Sequence, residues 1–257
     1  MSQIHSTAVI DPHAEIGENC TIGAYCVIGP NVKIGANNEL RSHVSVAGPT
    51  TIGEGNLFYP YSSIGERTQD LKYEREPTYL TIGNDNTFRE FCTINRASEP
   101  EGFTTIGNNN NFLAYSHVAH DCRIGNHVIF SNNGTVAGHV EVEDYVVIGG
   151  LSGVHQFCRI GQHSIIGGCT KIVQDVPPFM IADGNPAKVR SVNQVGLERK
   201  GVTVDRIRLL REAYRLIYRS QINVKQAVER IRTELENSAE IQDLIAFIST
   251  SERGIVR

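Results

Sequence analysis

From Ile10 to Ile172, every sixth residue is Ile, Leu, Val or Phe at 25 of 28 positions, and the phase never slips. The run opens Ile10, Ile16, Ile22, Ile28, Ile34, Leu40, Val46, Ile52, Phe58, Ile64, and only Asp70, Glu76 and Pro100 break it. A period of six matches neither the 3.6 of a helix nor the 2 of a flat strand. It predicts a parallel β-helix in which each hexad supplies one short strand and one turn. Three hexads close a coil, coils stack at about 4.8 Å, and each inward rung contributes roughly 1.5–3 kcal/mol of transfer free energy.

The residue two before a rung is usually small, which suits a second inward position in a narrow interior. Cys20, Cys26, Cys92, Cys122 and Cys158 share that position and Cys169 does not. Five of the six cysteines therefore read as small buried hydrophobes rather than disulfide partners or metal ligands. The Gly and Asn residues that follow the rungs are expected at tight corners with positive φ. Two segments leave the pattern: 66–80 (ERTQDLKYEREPTYL), and 96–104, which carries Pro100 and Gly102. The phase resumes at Ile82 and Ile106, so both are predicted as loops thrown out from the prism, where binding residues tend to sit.

Pro177-Pro178 forbids further regular pairing, and after Asn185-Pro186 the spacing becomes helical. Ile207, Leu210, Tyr214 and Ile217 form one stripe, Val224, Val228, Ile231 and Leu235 a second, and Ile241, Leu244, Ile245 and Ile248 a third. Asn223 with Gln226 reads as a capping box and Ser238 as an N-cap. The chain divides into a β-helix over 1–187 and a small helical domain over 188–257. The first carries 10 Lys+Arg against 19 Asp+Glu, and the second 14 against 9. A basic lobe on an acidic prism suits an acidic partner or a phosphate-bearing ligand. Nucleic acid is disfavoured, because the excess is modest and no aromatic-basic interleaving accompanies it. No stretch approaches the roughly 18 apolar residues of a membrane span, and no leader pattern follows Met1. The expectation is a cytosolic, soluble protein.

The densest polar cluster is Ser116-His117-Val118-Ala119-His120-Asp121-Cys122, with Gly138-His139 and His155-Gln156 further on. His120, His139 and His155 lie about one coil apart and are expected to form a column down one side. Imidazole also suits zinc, but no His-x-His pair or carboxylate gathers three ligands in the sequence. A general base is the stronger reading. A hydroxyl is a poor nucleophile at neutral pH, and an imidazole within reach can take its proton as it attacks an acyl carbon. A backbone N–H at a glycine corner is a natural donor to the oxyanion. No Ser-His-Asp or Cys-His nucleophile signature is present.

Six stretches together are specific: SSIGERTQDLKY (62–73), HVAHDCRIGN (117–126), VAGHVEVED (136–144), IGGLSGVHQFCRIG (148–161), QDVPPFMIADGNPA (174–187) and YRLIYRS (214–220). Through them the chain resembles, almost end to end, the UDP-N-acetylglucosamine O-acyltransferase family that starts lipid A synthesis. The resemblance implies a left-handed parallel β-helix, a homotrimer and active sites between adjacent subunits. It implies transfer of an (R)-3-hydroxyacyl group from acyl carrier protein to the 3-position of the sugar in UDP-N-acetylglucosamine. On the matching positions His120 is the general base, Asp121 its support and Gly138 the oxyanion donor. Gln69, Asp70 and Lys72 are implied as sugar and diphosphate contacts, and His117, His139, His155, Gln156, Asn193, Arg199 and Lys200 as further substrate contacts. Gly168 matches the position that gauges acyl length. The chain departs from well-known members at Pro186, Val195 and Lys200. No metal and no dissociable cofactor is expected, since the acyl donor rides on the phosphopantetheine of acyl carrier protein.

Three other readings compete. One is a hexapeptide O-acetyltransferase using acetyl-CoA, and another a trimeric zinc hydrolyase with histidines at subunit faces. The third is a structural or ice-binding β-helix, which would need a flat Thr face, and Thr recurs here only sporadically.

Overall fold

The computed structural model describes all 257 residues. Three sheets of eleven, nine and eight strands, parallel but for the last strand of the first, form the faces of a prism, and most strands are two residues long. Each strand pairs with the equivalent strand of the next coil: Ile22 lies against Leu40, Leu40 against Phe58 and Phe58 against Phe88. The rungs point inward. Phe58, Phe88, Phe112 and Phe130 stack at 4.8, 4.8 and 5.0 Å between ring centroids. Cys20, Cys26, Cys92, Cys122 and Cys158 are buried and form no disulfide, while Cys169 is exposed.

On one face the small inward position carries Asn38, Asn56, Asn86 and Asn110 instead, all buried. Each side-chain oxygen accepts the backbone N–H of the residue one coil on, at 2.7–2.9 Å. These bonds record coil length directly, the partners being 18, 30, 24 and 18 residues apart. The two long coils hold the two excursions, and both are shorter than the sequence suggests. Strands Ser63–Glu66 and Tyr79–Ile82 confine the first to 67–78, and strands Thr93–Asn95 and Phe103–Ile106 confine the second to 96–102.

The corners bear out the expectation for asparagine, at Asn19, Asn31 and Asn37, and correct it for the glycines that follow the rungs. Positive φ falls three residues after a rung, on Asn19, Tyr25, Asn37, His43, Asp121 and His139 among others. The glycine directly after a rung answers a different need. A Cβ on Gly17 would stand 2.5 Å from the Gly35 carbonyl carbon in the next coil. Close stacking, not backbone handedness, requires it. The corner residues gain by stacking outside the prism: Tyr25, His43, Tyr61, Phe91 and Tyr115 form an outer column with centroid spacings of 4.9–5.1 Å.

The sheet, though not the coil repeat, continues past residue 187. Strand Lys188–Val192 pairs antiparallel with Met180–Asp183 and completes the eleven-stranded sheet. Four helices follow: α1 (Gln194–Arg199), α2 (Val204–Tyr218), α3 (Val224–Glu234) and α4 (Ala239–Ser249). The three expected stripes supply much of the buried faces of α2, α3 and α4, except that Tyr214, Val224, Leu235 and Ile245 remain partly exposed, Leu235 as the C-cap of α3. The Asn223–Gln226 capping box and the Ser238 cap both form. Helix α1, too short for a periodic signal, is capped by Asn193. Helix α4 is fastened to the prism by Arg159, whose guanidinium lies 4.4 Å over the Phe247 ring and bonds Thr250. No helix is long and apolar enough to cross a membrane.

Candidate active site

The site is built on one corner of the prism. Rung Val118 is fully buried, and three residues later Asp121 adopts φ 59°. That left-handed residue turns the chain, so two consecutive side chains that would diverge on a strand converge instead. His120 Nδ1 lies 2.8 Å from Asp121 Oδ2, with the side chains only 14% and 9% exposed. The same oxygen accepts from the Ser98 N–H at 3.0 Å and the Ser98 hydroxyl at 2.7 Å. The Asp121 N–H is held by the buried Thr104 hydroxyl. Burial alone would raise the Asp121 carboxyl, but the hydrogen bonds from His120 and Ser98 prevail and hold it at about 2. An ionised Asp121 can only accept, so His120 carries its proton on Nδ1 and leaves Nε2 as a base.

Gly138 occupies the equivalent place one coil on. A Cβ there would stand 2.3 Å from His120 Cε1 and 2.6 Å from Nε2. Only glycine lets the imidazole lie against this backbone, and the Gly138 N–H has no acceptor within the protein. His139 follows at the corner, edge-on to His120 with centroids 5.2 Å apart and Nε2 3.7 Å from Asp121 Oδ2.

His155 does not join this column, contrary to the sequence spacing. The residue stacked on His139 is Phe157, at 4.6 Å. Backbone pairing aligns His155 with Ala119 and Ala137, one residue after their rungs, whereas His120 and Gly138 sit two after. His155 and Gln156 are both exposed.

His117 stands on a neighbouring face in line with Ser63, Thr93 and Thr135. Its Nδ1 meets the Thr93 hydroxyl at 2.7 Å. Burial holds this imidazole below its ordinary value, Thr93 opposes that, and the nearby His120 adds to it. Thr93 and Ser63 also line a cleft of about 520 Å³ under the first excursion, together with Thr68, Gln69, Asp70 and Asn95. Asp70 Oδ1 accepts the Lys72 N–H at 3.0 Å. Gln69 and Asp70 thus line the cleft, while exposed Lys72 does not.

The remaining expected residues lie elsewhere on the chain. Asn193 is buried, donating to the His163 carbonyl and accepting from the Gly196 N–H. Lys200 Nζ lies 4.3 Å over the Tyr145 ring, and Arg199 is exposed beside it. Lys200 thereby joins the corner where His127, Tyr145 and His163 stack. Burial depresses the His163 imidazole and the Lys200 charge adds to it. Gly168 precedes the third corner, at Cys169, with only the Gly150 carbonyl within 4 Å of a Cβ.

A carboxylate is placed with two histidines after all: one ligand-capable atom each from His120, Asp121 and His139 lies within 4.8 Å of the others. Asp121 Oδ2 already accepts three hydrogen bonds, from Ser98 N–H, Ser98 hydroxyl and His120. That donor set fits a carboxylate orienting an imidazole better than one facing a cation. Ser98 and Thr93 had no motif to announce them.

Comparison with known proteins is decisive. Residues 175–256 match the family described as Udp N-acetylglucosamine O-acyltransferase, domain 2, and 1–35, 13–48 and 103–138 match the bacterial transferase hexapeptide. Two proteins named acyl-[acyl-carrier-protein]–UDP-N-acetylglucosamine O-acyltransferase, from Burkholderia lata and Verminephrobacter eiseniae, are 48% and 46% identical over 100% of both chains. The chain belongs to this O-acyltransferase family. Its fold agrees with solved family structures. The UDP-N-acetylglucosamine O-acyltransferase of Moraxella catarrhalis superimposes with a TM-score of 0.94 at 47% identity, covering 99% of each chain. That of Bacteroides fragilis gives 0.97 at 38% identity, covering 99% of this chain and 100% of its own. The fold class of the family, a left-handed parallel β-helix with a helical C-terminal lobe, is the fold of this chain.

Proposed function

We propose that this chain transfers an (R)-3-hydroxyacyl group from acyl carrier protein to the 3-hydroxyl of UDP-N-acetylglucosamine, the first step of lipid A biosynthesis, with His120 as general base. The observation that carries the reading is the His120 Nε2 left free by the Nδ1–Asp121 bond of 2.8 Å, beside the unpaired Gly138 N–H. Nε2 takes the sugar hydroxyl's proton as that oxygen attacks the thioester carbonyl. The oxyanion accepts from the Gly138 N–H. Collapse breaks the C–S bond, and the phosphopantetheine thiolate takes the proton back from the imidazolium. Asp70 and Gln69 in the adjoining cleft suit the sugar, and the basic tail suits a diphosphate and an acidic carrier protein.

Assembly follows from the scatter of residues. His120, Lys200 and Gly168 belong to three different corners of one prism, so a site using all three needs a second copy. The exposed outer column of Tyr25, Tyr61, Phe91 and Tyr115 is an apolar edge suited to such packing. A homotrimer with active sites between subunits accommodates both, in the cytoplasm where both substrates would be met.

The test is mass spectrometry of the product formed from UDP-N-acetylglucosamine and a panel of 3-hydroxyacyl carrier protein donors. A single O-acylated sugar nucleotide is expected, and a product formed from acetyl-CoA instead would overturn the reading. The same panel tests chain length. A Cβ on Gly168 meets only the Gly150 carbonyl, at an ordinary 3.5 Å, and the backbone φ is not left-handed, so Gly168→Met should fold normally and favour shorter donors. An unchanged preference would remove Gly168 from that role.

A further inference from the structure

The second excursion lines no part of the sugar-side cleft, yet it makes the coil that carries it 24 residues long instead of 18. Its course is held throughout. The Arg96 N–H donates to the Glu66 carbonyl, the Ala97 N–H to Tyr79 and the Glu101 N–H to Pro77, while Ala97 is fully buried. The Arg96 guanidinium donates to the Gly48 and Gly65 carbonyls. A Cβ on Gly102 would approach Asp121 Oδ1 to 3.1 Å, so the loop packs directly on the catalytic corner. At its centre is Ser98.

Ser98 makes contacts with both members of the catalytic pair. Its N–H and hydroxyl donate to Asp121 Oδ2 at 3.0 and 2.7 Å. Its oxygen lies 3.1 Å from His120 Nδ1, which itself sits 2.8 Å from Asp121 Oδ2. With the hydroxyl hydrogen committed to the carboxylate, the Ser98 oxygen is free to accept, so the Nδ1–H is shared between two acceptors. One acceptor leaves an imidazole free to rotate about that bond. Two acceptors on different chain segments fix the ring plane, and with it the direction of Nε2 toward the Gly138 backbone. We propose that Ser98 is a positioning residue for the general base, and that the second excursion serves to deliver its hydroxyl. This rests on the reading of His120 as the base.

The test is steady-state kinetics and thermal melting of the full-length protein with Ser98→Ala, Ser98→Thr, Asp121→Asn, the Ser98→Ala/Asp121→Asn pair and His120→Ala. Ser98→Ala should lower kcat about tenfold, the scale of one lost hydrogen bond, with KM for UDP-N-acetylglucosamine and the melting temperature unchanged. Ser98→Thr keeps the oxygen and should restore most of kcat. Because Ser98 acts through the same pair, the double variant should be little worse than Asp121→Asn alone. A wild-type kcat for Ser98→Ala, equal losses for Ala and Thr, or fully additive losses would each overturn the proposal. His120→Ala separates the two readings. If it is inactive while Ser98→Ala is normal, only the role of Ser98 fails; if it is fully active, the base assignment fails first.

Discussion

Replacing His120 by alanine is expected to abolish measurable acyl transfer while leaving the protein folded. A positioned general base accounts for about 10²–10⁴ of rate, and nothing beside His120 can replace it. His139 stands edge-on at 5.2 Å and His117 is tied to Thr93, so neither has Nε2 against the Gly138 backbone. The fold should tolerate the change, because His120 lies outside the inward ladder and truncating it opens no core cavity. The measurement is initial rate with a 3-hydroxyacyl carrier protein donor, beside a denaturation curve for the same preparation. Near wild-type turnover would sink the assignment. Inactivity with a normal denaturation midpoint would support it.

Phe88→Ala is expected to be the most damaging change to stability. Phe88 is fully buried and sandwiched between Phe58 and Phe112 at 4.8 Å on each side. Removing it loses the transfer free energy of the ring and leaves a cavity flanked by two flat faces, which cannot collapse because strand pairing fixes the coil spacing. The loss should be about 3–5 kcal/mol, read as a fall in the urea midpoint at unchanged m-value. Phe91→Ala is the control: Phe91 stacks in the outer column and is 42% exposed, so its loss in an isolated subunit should be far smaller. Equal effects at the two positions would contradict the inward ladder.

The ladder made the prism legible because burial in a β-helix repeats with strict period, and a hexad interrupted by Asp70, Glu76 or Pro100 could only leave the coil. Corner chemistry was harder to read. Positive φ on asparagine corners such as Asn19 and Asn37 follows residue preference, whereas on Tyr25, Tyr61 or Phe91 it is carried by coil stacking and has no local signal. His155 seemed to continue the histidine column because its spacing was near one coil. In a repeat this narrow an offset of two residues moves a side chain to another face, and Phe157 takes the place. Ser98 was invisible because its partners His120 and Asp121 lie more than twenty residues away and the loop between has no period. The tail residues Asn193, Arg199 and Lys200 could be named by resemblance, but their distance from His120 in one chain follows only from the fold.

The asparagine bonds measure how much chain each coil must close. Closure entropy grows only with the logarithm of length, so lengthening a coil from 18 to 30 residues costs about 0.5 kcal/mol, and the step to 24 about half that. Each is small beside the several kcal/mol carried by a single inward Phe. Closing a longer coil is therefore a minor cost, and what a graft at a corner must offset is the ordering of its own residues, which the second excursion's backbone hydrogen bonds and the buried Ala97 do here. The Ser98 hydroxyl and the cleft lined by Gln69 and Asp70 are two such grafts.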